Sequence, residues 1–228
     1  MKDVDYHRIE VGGLREKRRG KVVLDGVVEV RVNESKPFKM TMIPKNRVDA
    51  AIGRLFFMGL IGSIDDVQSV RETESGVDFE IHSRDLPLSQ VDSDLTVHHE
   101  VLALCMKRLF ESTEVWELTG GVHSAGLFDT SGKLLFCADD IGKGNAIDAV
   151  IGKGLQSGVD FTQCILASTG RQIGFMIEKA VRAGVSVVVS RGAPLHSSIV
   201  TADKYGVTLV CFAKGKRMNL YTHKERIL

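Results

Sequence analysis

The chain has 228 residues, with 30 Lys and Arg against 29 Asp and Glu, 43% hydrophobic side chains and a formal net charge of +1. That composition excludes an intrinsically disordered chain, and no apolar run reaches the roughly 20 residues of a membrane span. The near-neutral balance argues against a dedicated nucleic-acid-binding domain.

The basic run Arg15–Lys21 reads as a solvated loop, because no aromatic side chain interleaves with its charges. Val22–Leu24 and Val27–Val32 flank Asp25-Gly26, a dipeptide that predicts a tight hairpin. Phe38–Met42 alternates with period 2, as a half-buried strand does, which makes Met40 and Met42 core residues. Pro44 precedes a helical pattern from Arg47 to Met58, with Gly59 as its stop. A second strand pair is predicted over Val67–Glu72 and Val77–His82, followed by a polar linker, His82–Asp94. A helix from about Thr96 to Phe110 comes next. From Val122 the pattern alternates: strands at 122–128, 134–137, 163–167, 185–189 and 207–212, and helices near 145–155, 172–183 and 195–205. Asp129-Thr130-Ser131-Gly132 turns the first of these strands back on the second, and strand–helix–strand units follow, which predicts a mixed α/β sheet with an antiparallel first strand.

In an open α/β sheet, ligands bind beyond the carboxyl ends of the strands. Four glycine-marked segments fall there: 139–145, 168–171, 192–198 and 212–217. Helix N-termini and glycine turns offer free N–H groups, and Lys143, Arg171, Lys214 and Arg217 add positive charge. Any one such turn is explained by ordinary capping, whereas several on one edge point to an anionic ligand such as a nucleotide. There is no P-loop and no G-x-G-x-x-G. His123 follows Gly120-Gly121, where it is either a ligand donor and proton carrier or a histidine satisfied by backbone. His98-His99-Glu100 matches the H-x-E of zinc deaminases, but the P-C-x-x-C that completes that site is missing. The four cysteines, Cys105, Cys137, Cys164 and Cys211, form no C-x-x-C pair, which excludes a zinc ribbon, a thioredoxin-type motif and a disulfide scaffold. All four sit in apolar runs, with Cys137 nearest a candidate loop. The first residues hold no apolar signal core, so the cytoplasm is the expected compartment.

Taken together, Thr119–Ala125, Asp139–Asp148 and Ser168–Arg171, in this order and spacing, resemble the formate dehydrogenase accessory sulfurtransferase (FdhD) family. Gly206–Leu209 through Asn219–Thr222 resembles its ending, and Val32-Asn33, Thr41–Pro44 and Gly59–Ile61 its first domain. The resemblance implies an α+β protein with a small N-terminal α+β domain and interdomain loop (1–94) and a cytidine-deaminase-like α/β domain (95–228), as a homodimer. Members pass persulfide sulfur from a cysteine desulfurase to molybdenum bis(molybdopterin guanine dinucleotide) for formate dehydrogenase. By motif match, Gly120, Gly121, His123, Asp140, Gly142, Lys143, Asn145, Asp148, Ser168, Gly170 and Arg171 carry over as cofactor-site residues, with His123 and Asp140 as candidate catalytic groups. The stretch Phe212, Ala213, Lys214, Gly215, Lys216 and Arg217 falls where the family places further cofactor contacts. No metal ligand, nucleic-acid partner or membrane association is implied. Family members typically carry a C-G-x-C-G loop between the domains, and the matching region, about 82–94, has no cysteine. Gly144 and Ala149 replace a histidine and a lysine of the family pattern. The resemblance therefore leaves two readings, a sulfur-transferring accessory protein and a non-catalytic chaperone that binds the guanine nucleotide or the molybdenum cofactor.

Overall fold

The computed structural model describes residues 1–228. Alternating hydrophobicity builds two of the three sheets, and helical periodicity supplies the layers that cover them. Lys2–Ile9 (β1) and Arg15–Val22 (β2) pair as an antiparallel ribbon. Gly26–Val32 (β3), Phe38–Met42 (β4), Val67–Glu72 (β5) and Gly76–Ile81 (β6) form a mixed sheet of order β4-β3-β6-β5, backed by the helix Arg47–Phe57 (α1). The second half begins with helices His99–Glu111 (α2) and Glu114–Thr119 (α3) and strands His123–Asp129 (β7) and Leu134–Asp140 (β8). Lys143–Gln156 (α4), Cys164–Ser168 (β9), Gly174–Ala183 (α5) and Val187–Ser190 (β10) follow. His196–Tyr205 (α6), Thr208–Lys214 (β11) and Arg217–Leu220 (β12) complete the chain. Its six-stranded sheet has the order β12-β11-β10-β9-β7-β8. The protein is thus a mixed α/β structure of the α+β type, and none of its helices is long and apolar enough to cross a membrane.

The pleat explains how one apolar strand serves two layers. Leu127, Leu166, Val188 and Leu209 join a core of 36 buried residues that also takes in α1, α4 and the four-stranded sheet. Their neighbours Phe128, Ile165, Val189 and Val210 face the other way, into a core of 13 beneath α2. Residues 82–98 form no helix and no ladder beyond a single bridge at Val97, and the boundary expected at 94/95 lies within them. This segment is held down: Arg84 N–H donates to the Leu60 carbonyl at 2.9 Å and Val91 N–H to that of Tyr205 at 2.9 Å. Arg182 adds bonds to the carbonyls of Leu86 (2.7 Å) and Pro87 (2.8 Å).

Two expectations in the first 32 residues are corrected. Asp25-Gly26 is not a hairpin, because β2 and β3 belong to different sheets and β3 pairs instead with β4 and β6. Nor is the basic run a loop: it is β2, whose cations face Asp3 and Asp5 across the ribbon, Lys17 Nζ lying 3.3 Å from Asp5. The true turn lies around Gly12, which has φ +80°. Neither α3, a helix of six residues, nor β12, a strand of four, is expected from the sequence.

Helices α1 and α4 meet backbone to backbone. A Cβ on Gly53 would lie 1.9 Å from the Asp148 carbonyl oxygen, and one on Gly152 would lie 2.0 Å from that of Asp49. Alanine favours a helix over glycine by about 1 kcal/mol, whereas overpacking a core costs about 1–3 kcal/mol. Gly152→Ala is therefore expected to lower stability despite the better propensity, as a drop in the urea midpoint followed by circular dichroism. A midpoint equal to or above that of the parent would show that the two helices separate freely.

Candidate functional site

β7 is antiparallel to both β8 and β9, and β10 is parallel to β9 and β11. The carboxyl ends Asp140, Ser168, Ser190 and Lys214 therefore share one edge with His123, the first residue of β7. His123 stands in register with Asp140, and Ser190 with Ser168. The turns on this edge are bonded to one another. Thr169 N–H donates to the Ser124 carbonyl and Ser124 N–H to Thr169 Oγ1, both at 3.0 Å. Ser190 Oγ donates to the Gly170 carbonyl at 2.6 Å, and Gly192 lies so close to Gly170 that a Cβ would meet its carbonyl carbon at 2.5 Å.

Two adjoining cavities open here. One, of about 440 Å³, is lined by Gly120, Gly121, His123 and Thr169, with Trp116 and Ile141 as apolar walls. The other, of about 620 Å³, lies between α2 and the β11–β12 turn. Leu104, Met106, Ala213 and Met218 give it an apolar lining, and Lys107, Lys214 and Arg217 ring it with charge. Phe110 and Arg191 line both cavities. The Arg191 guanidinium lies 4.8 Å from the centre of the Phe110 ring, which Trp116 meets edge-on at 5.9 Å. A bulge between Cys211 and Lys214 carries β11 past Phe212, a non-glycine residue at φ +52°, and sets Ala213 and Lys214 on the cavity wall. Such conformations persist only where the surroundings hold them, here partly through Phe212 N–H on the Gly192 carbonyl at 3.1 Å.

The local field is positive. Partial burial holds His123 below the ordinary histidine value of 6.5, and the charges of Lys143 and Arg171 push it further down. Burial pushes the Asp139 carboxyl up, against a 2.6 Å hydrogen bond from Ser124 Oγ. An imidazole held down by two nearby cations is a place where an anion gains twice, from the cations and from the proton His123 would then take up.

The predicted residues divide into four groups. Gly120, Gly121 and His123 line the smaller cavity, and Ala213, Lys214, Gly215 and Arg217 the larger. Lys143, Ser168, Gly170 and Arg171 build or flank the connecting turns: Ser168 Oγ accepts from Gly170 N–H at 3.2 Å, and Lys143 Cβ would lie 3.0 Å from a Cβ on Gly170. Phe212 and Lys216 are exposed and line neither cavity. Asp140, Asn145 and Asp148 lie deeper, with 2%, 9% and 0% exposure, and their polar atoms are committed to protein partners. Asp140 accepts from Gly142 N–H (2.8 Å), Asn145 Nδ2 (2.9 Å) and Ile43 N–H (2.8 Å). Burial pushes its carboxyl up while these donors pull it back. Asp148 accepts from Arg54 Nε at 2.8 Å and from the buried Lys179.

Phe110, Trp116 and Arg191 are cavity residues that sequence reasoning missed, whereas Thr169 lies in the 168–171 turn it singled out. Two signals existed. Trp116 is the sole tryptophan of the chain, and Arg191 directly precedes the glycine of a turn already singled out. Phe110 sits in the last turn of a helix whose apolar stripe alone reads as core. His98, His99 and Glu100 take part in no cluster of three potential metal ligands.

The model of the FdhD/NarQ family matches residues 81–228. A protein of Methanothermobacter thermautotrophicus described as sulfur carrier protein FdhD is 34% identical, covering 100% of this chain and 98% of its own length. One of the same description from Wolinella succinogenes is 31% identical over 90% of this chain and 82% of its own. The fold matches a crystal structure from Desulfotalea psychrophila assigned as a formate dehydrogenase accessory protein, with a TM-score of 0.88, 22% identity and coverage of 99% and 98%.

His123 is expected to titrate below 6.5 by NMR, and Lys143→Gln to raise that midpoint, since it removes one of the two cations holding it down. The unfolded chain binds this proton more readily, so the histidine's contribution to stability is fully present above the unfolded value and is lost as pH falls. A midpoint unmoved by Lys143→Gln would remove Lys143 from the field of the cavity.

Proposed function

The chain belongs to the FdhD/NarQ family, and on that premise we propose that it is a formate dehydrogenase accessory protein that holds a molybdopterin guanine dinucleotide cofactor by its nucleotide. The observation that carries this reading is the pair of cavities joined through Arg191 and Phe110. A guanine or pterin ring is planar and gains from apolar walls and aromatic faces, and a diphosphate from guanidinium and ammonium groups. The larger cavity offers the first kind of surface inside a ring of cations, and the smaller one offers glycine backbone and His123. The six-stranded sheet is read as the cytidine-deaminase-like domain of this family. A homodimer belongs to the same reading, since the ribbon β1–β2 leaves Tyr6, Ile9, Val11 and Leu14 exposed, as a surface covered by a second copy would be.

Within this reading, holding the cofactor is favoured over carrying sulfur. A persulfide carrier needs an accessible, ionisable thiol. Cys105, Cys164 and Cys211 are buried, and burial pushes each thiol up to about 12. Cys137 alone is not fully buried, and it lies on edge strand β8 with its carbonyl bonded to Lys153 Nζ at 2.9 Å. Segment 82–94 has no thiol and is bonded to the body of the protein.

Calorimetry with GDP as the probe is expected to show binding that weakens about tenfold or more in Arg191→Ala, the loss of one charge-assisted contact. It should also weaken with added salt. No binding by the parent would sink the nucleotide site. Incubation with a cysteine desulfurase and cysteine, followed by mass spectrometry, is expected to leave all four cysteines free of persulfide. Sulfur on Cys137 would restore the carrier role and make the desulfurase a direct partner.

A further inference from the structure

Four buried or half-buried charges link the two halves of the chain directly behind the cavity edge. Arg54, on α1, donates through Nε to Asp148 Oδ2 at 2.8 Å and through Nη2 to Asn145 Oδ1 at 3.2 Å, both on α4. With its oxygen held, the Asn145 amide turns its nitrogen to Asp140 Oδ1 (2.9 Å) and to the Thr41 carbonyl of β4 (2.8 Å). The same Asp140 oxygen holds Gly142 N–H at 2.8 Å, and Ile43 N–H holds the other. Asp148 is balanced on its far side by Lys179, whose ammonium lies 4.1 Å from the centre of the Phe57 ring and 4.7 Å from that of Phe175. Arg54 and Lys179 against Asp140 and Asp148 leave the cluster neutral. At its outer end are Ile141, a wall of the smaller cavity, and Lys143, whose charge acts on His123.

We propose that Arg54 is a positioning residue for the 141–143 turn, acting through Asn145 and Asp140, so that the N-terminal half sets the shape of a cavity to which Arg54 itself contributes no wall. The geometry requires two acceptors on one side chain. A guanidinium reaches Asp148 and Asn145 together, and an ammonium keeps the charge on Asp148 but lacks the fork. Without Arg54 the Asn145 oxygen is buried without a donor, and the amide is free to turn its nitrogen away from Asp140. Asp140 Oδ1 then keeps the Gly142 N–H but loses the second donor that fixes its position, and the Gly142 turn is held less firmly. A side chain at that position would push on the same amide, since a Cβ would lie 2.8 Å from Asn145 Nδ2. This role rests on the proposed nucleotide site only for its purpose, not for its mechanics.

The test compares Arg54→Lys with Arg54→Met by thermal melting, amide hydrogen exchange and NMR titration of His123, all without ligand. GDP calorimetry follows. Arg54→Lys is expected to melt close to the parent yet to exchange the Gly142 amide about tenfold faster, the loss of roughly one hydrogen bond. It should also raise the His123 midpoint as Lys143 loosens, and weaken GDP binding by a similar factor. If Arg54→Met does not fold, Arg54→Lys decides alone. Parent-like Gly142 exchange and His123 titration in a folded Arg54→Lys would overturn the proposal and leave Arg54 a packing residue. Faster exchange in the variant together with no GDP binding by the parent would uphold the positioning role and defeat the nucleotide reading instead.

Discussion

The fold depends on the close approach of α1 and α4. Gly53 and Gly152 remove the two side chains that would hold these helices apart, and each helix then sets its backbone against a carbonyl of the other. At that distance α1 covers its own sheet and α4 at once, so 36 buried residues form one cluster across both halves of the chain. Glycine in a helix costs about 1 kcal/mol relative to alanine, and that cost is accepted twice at this crossing. The return is a short path from one half of the protein to the other.

That path is polar. Arg54 and Asp148 meet at 2.8 Å across this crossing. Ion pairs removed from water are stable only when geometry is good and the remaining lone pairs are satisfied, and here Lys179, Asn145, Gly142 and Ile43 complete the set. Such a cluster is poor at adding stability and good at fixing a single arrangement, which is what a cavity edge built from turns needs. Asp140, Asn145 and Asp148, which family resemblance marks as candidate site residues, therefore sit one layer behind the cavity edge.

In front of that layer the edge is assembled from strand ends and the turns after them, with α2 and α3 as the facing walls. Each contributes little: a glycine turn, one cation, a hydroxyl. Their joint field is enough to hold His123 below its ordinary value, and Arg191 on Phe110 supplies the one feature shared by both cavities. The cysteines follow the opposite logic. Three are used as small apolar side chains, and burial makes them poor nucleophiles.

By itself the sequence determined the elements and their faces. Period-2 and period-3.6 patterns located β4 to β6, α1 and the alternating strands and helices after residue 122 within a few residues, because those patterns are local consequences of which face is buried. It also determined that a set of glycine and basic turns would gather at one sheet edge, because strand order and direction follow from crossover rules. The errors at Asp25-Gly26 and at Arg15–Lys21 arose where pairing is not local. A dipeptide suited to a tight turn was only a link between sheets, and a charged run became a strand because its partner strand carries Asp3 and Asp5. Only the tertiary structure decided which candidate residues face a cavity and which hold it from behind. Asp140 and His123 look alike in sequence, each a polar residue two positions from a glycine, and stand in register on adjacent strands. One is sealed off by Ile43, Asn145 and the helix α1 beyond them and the other opens to solvent, a difference set by long-range packing that no local pattern encodes.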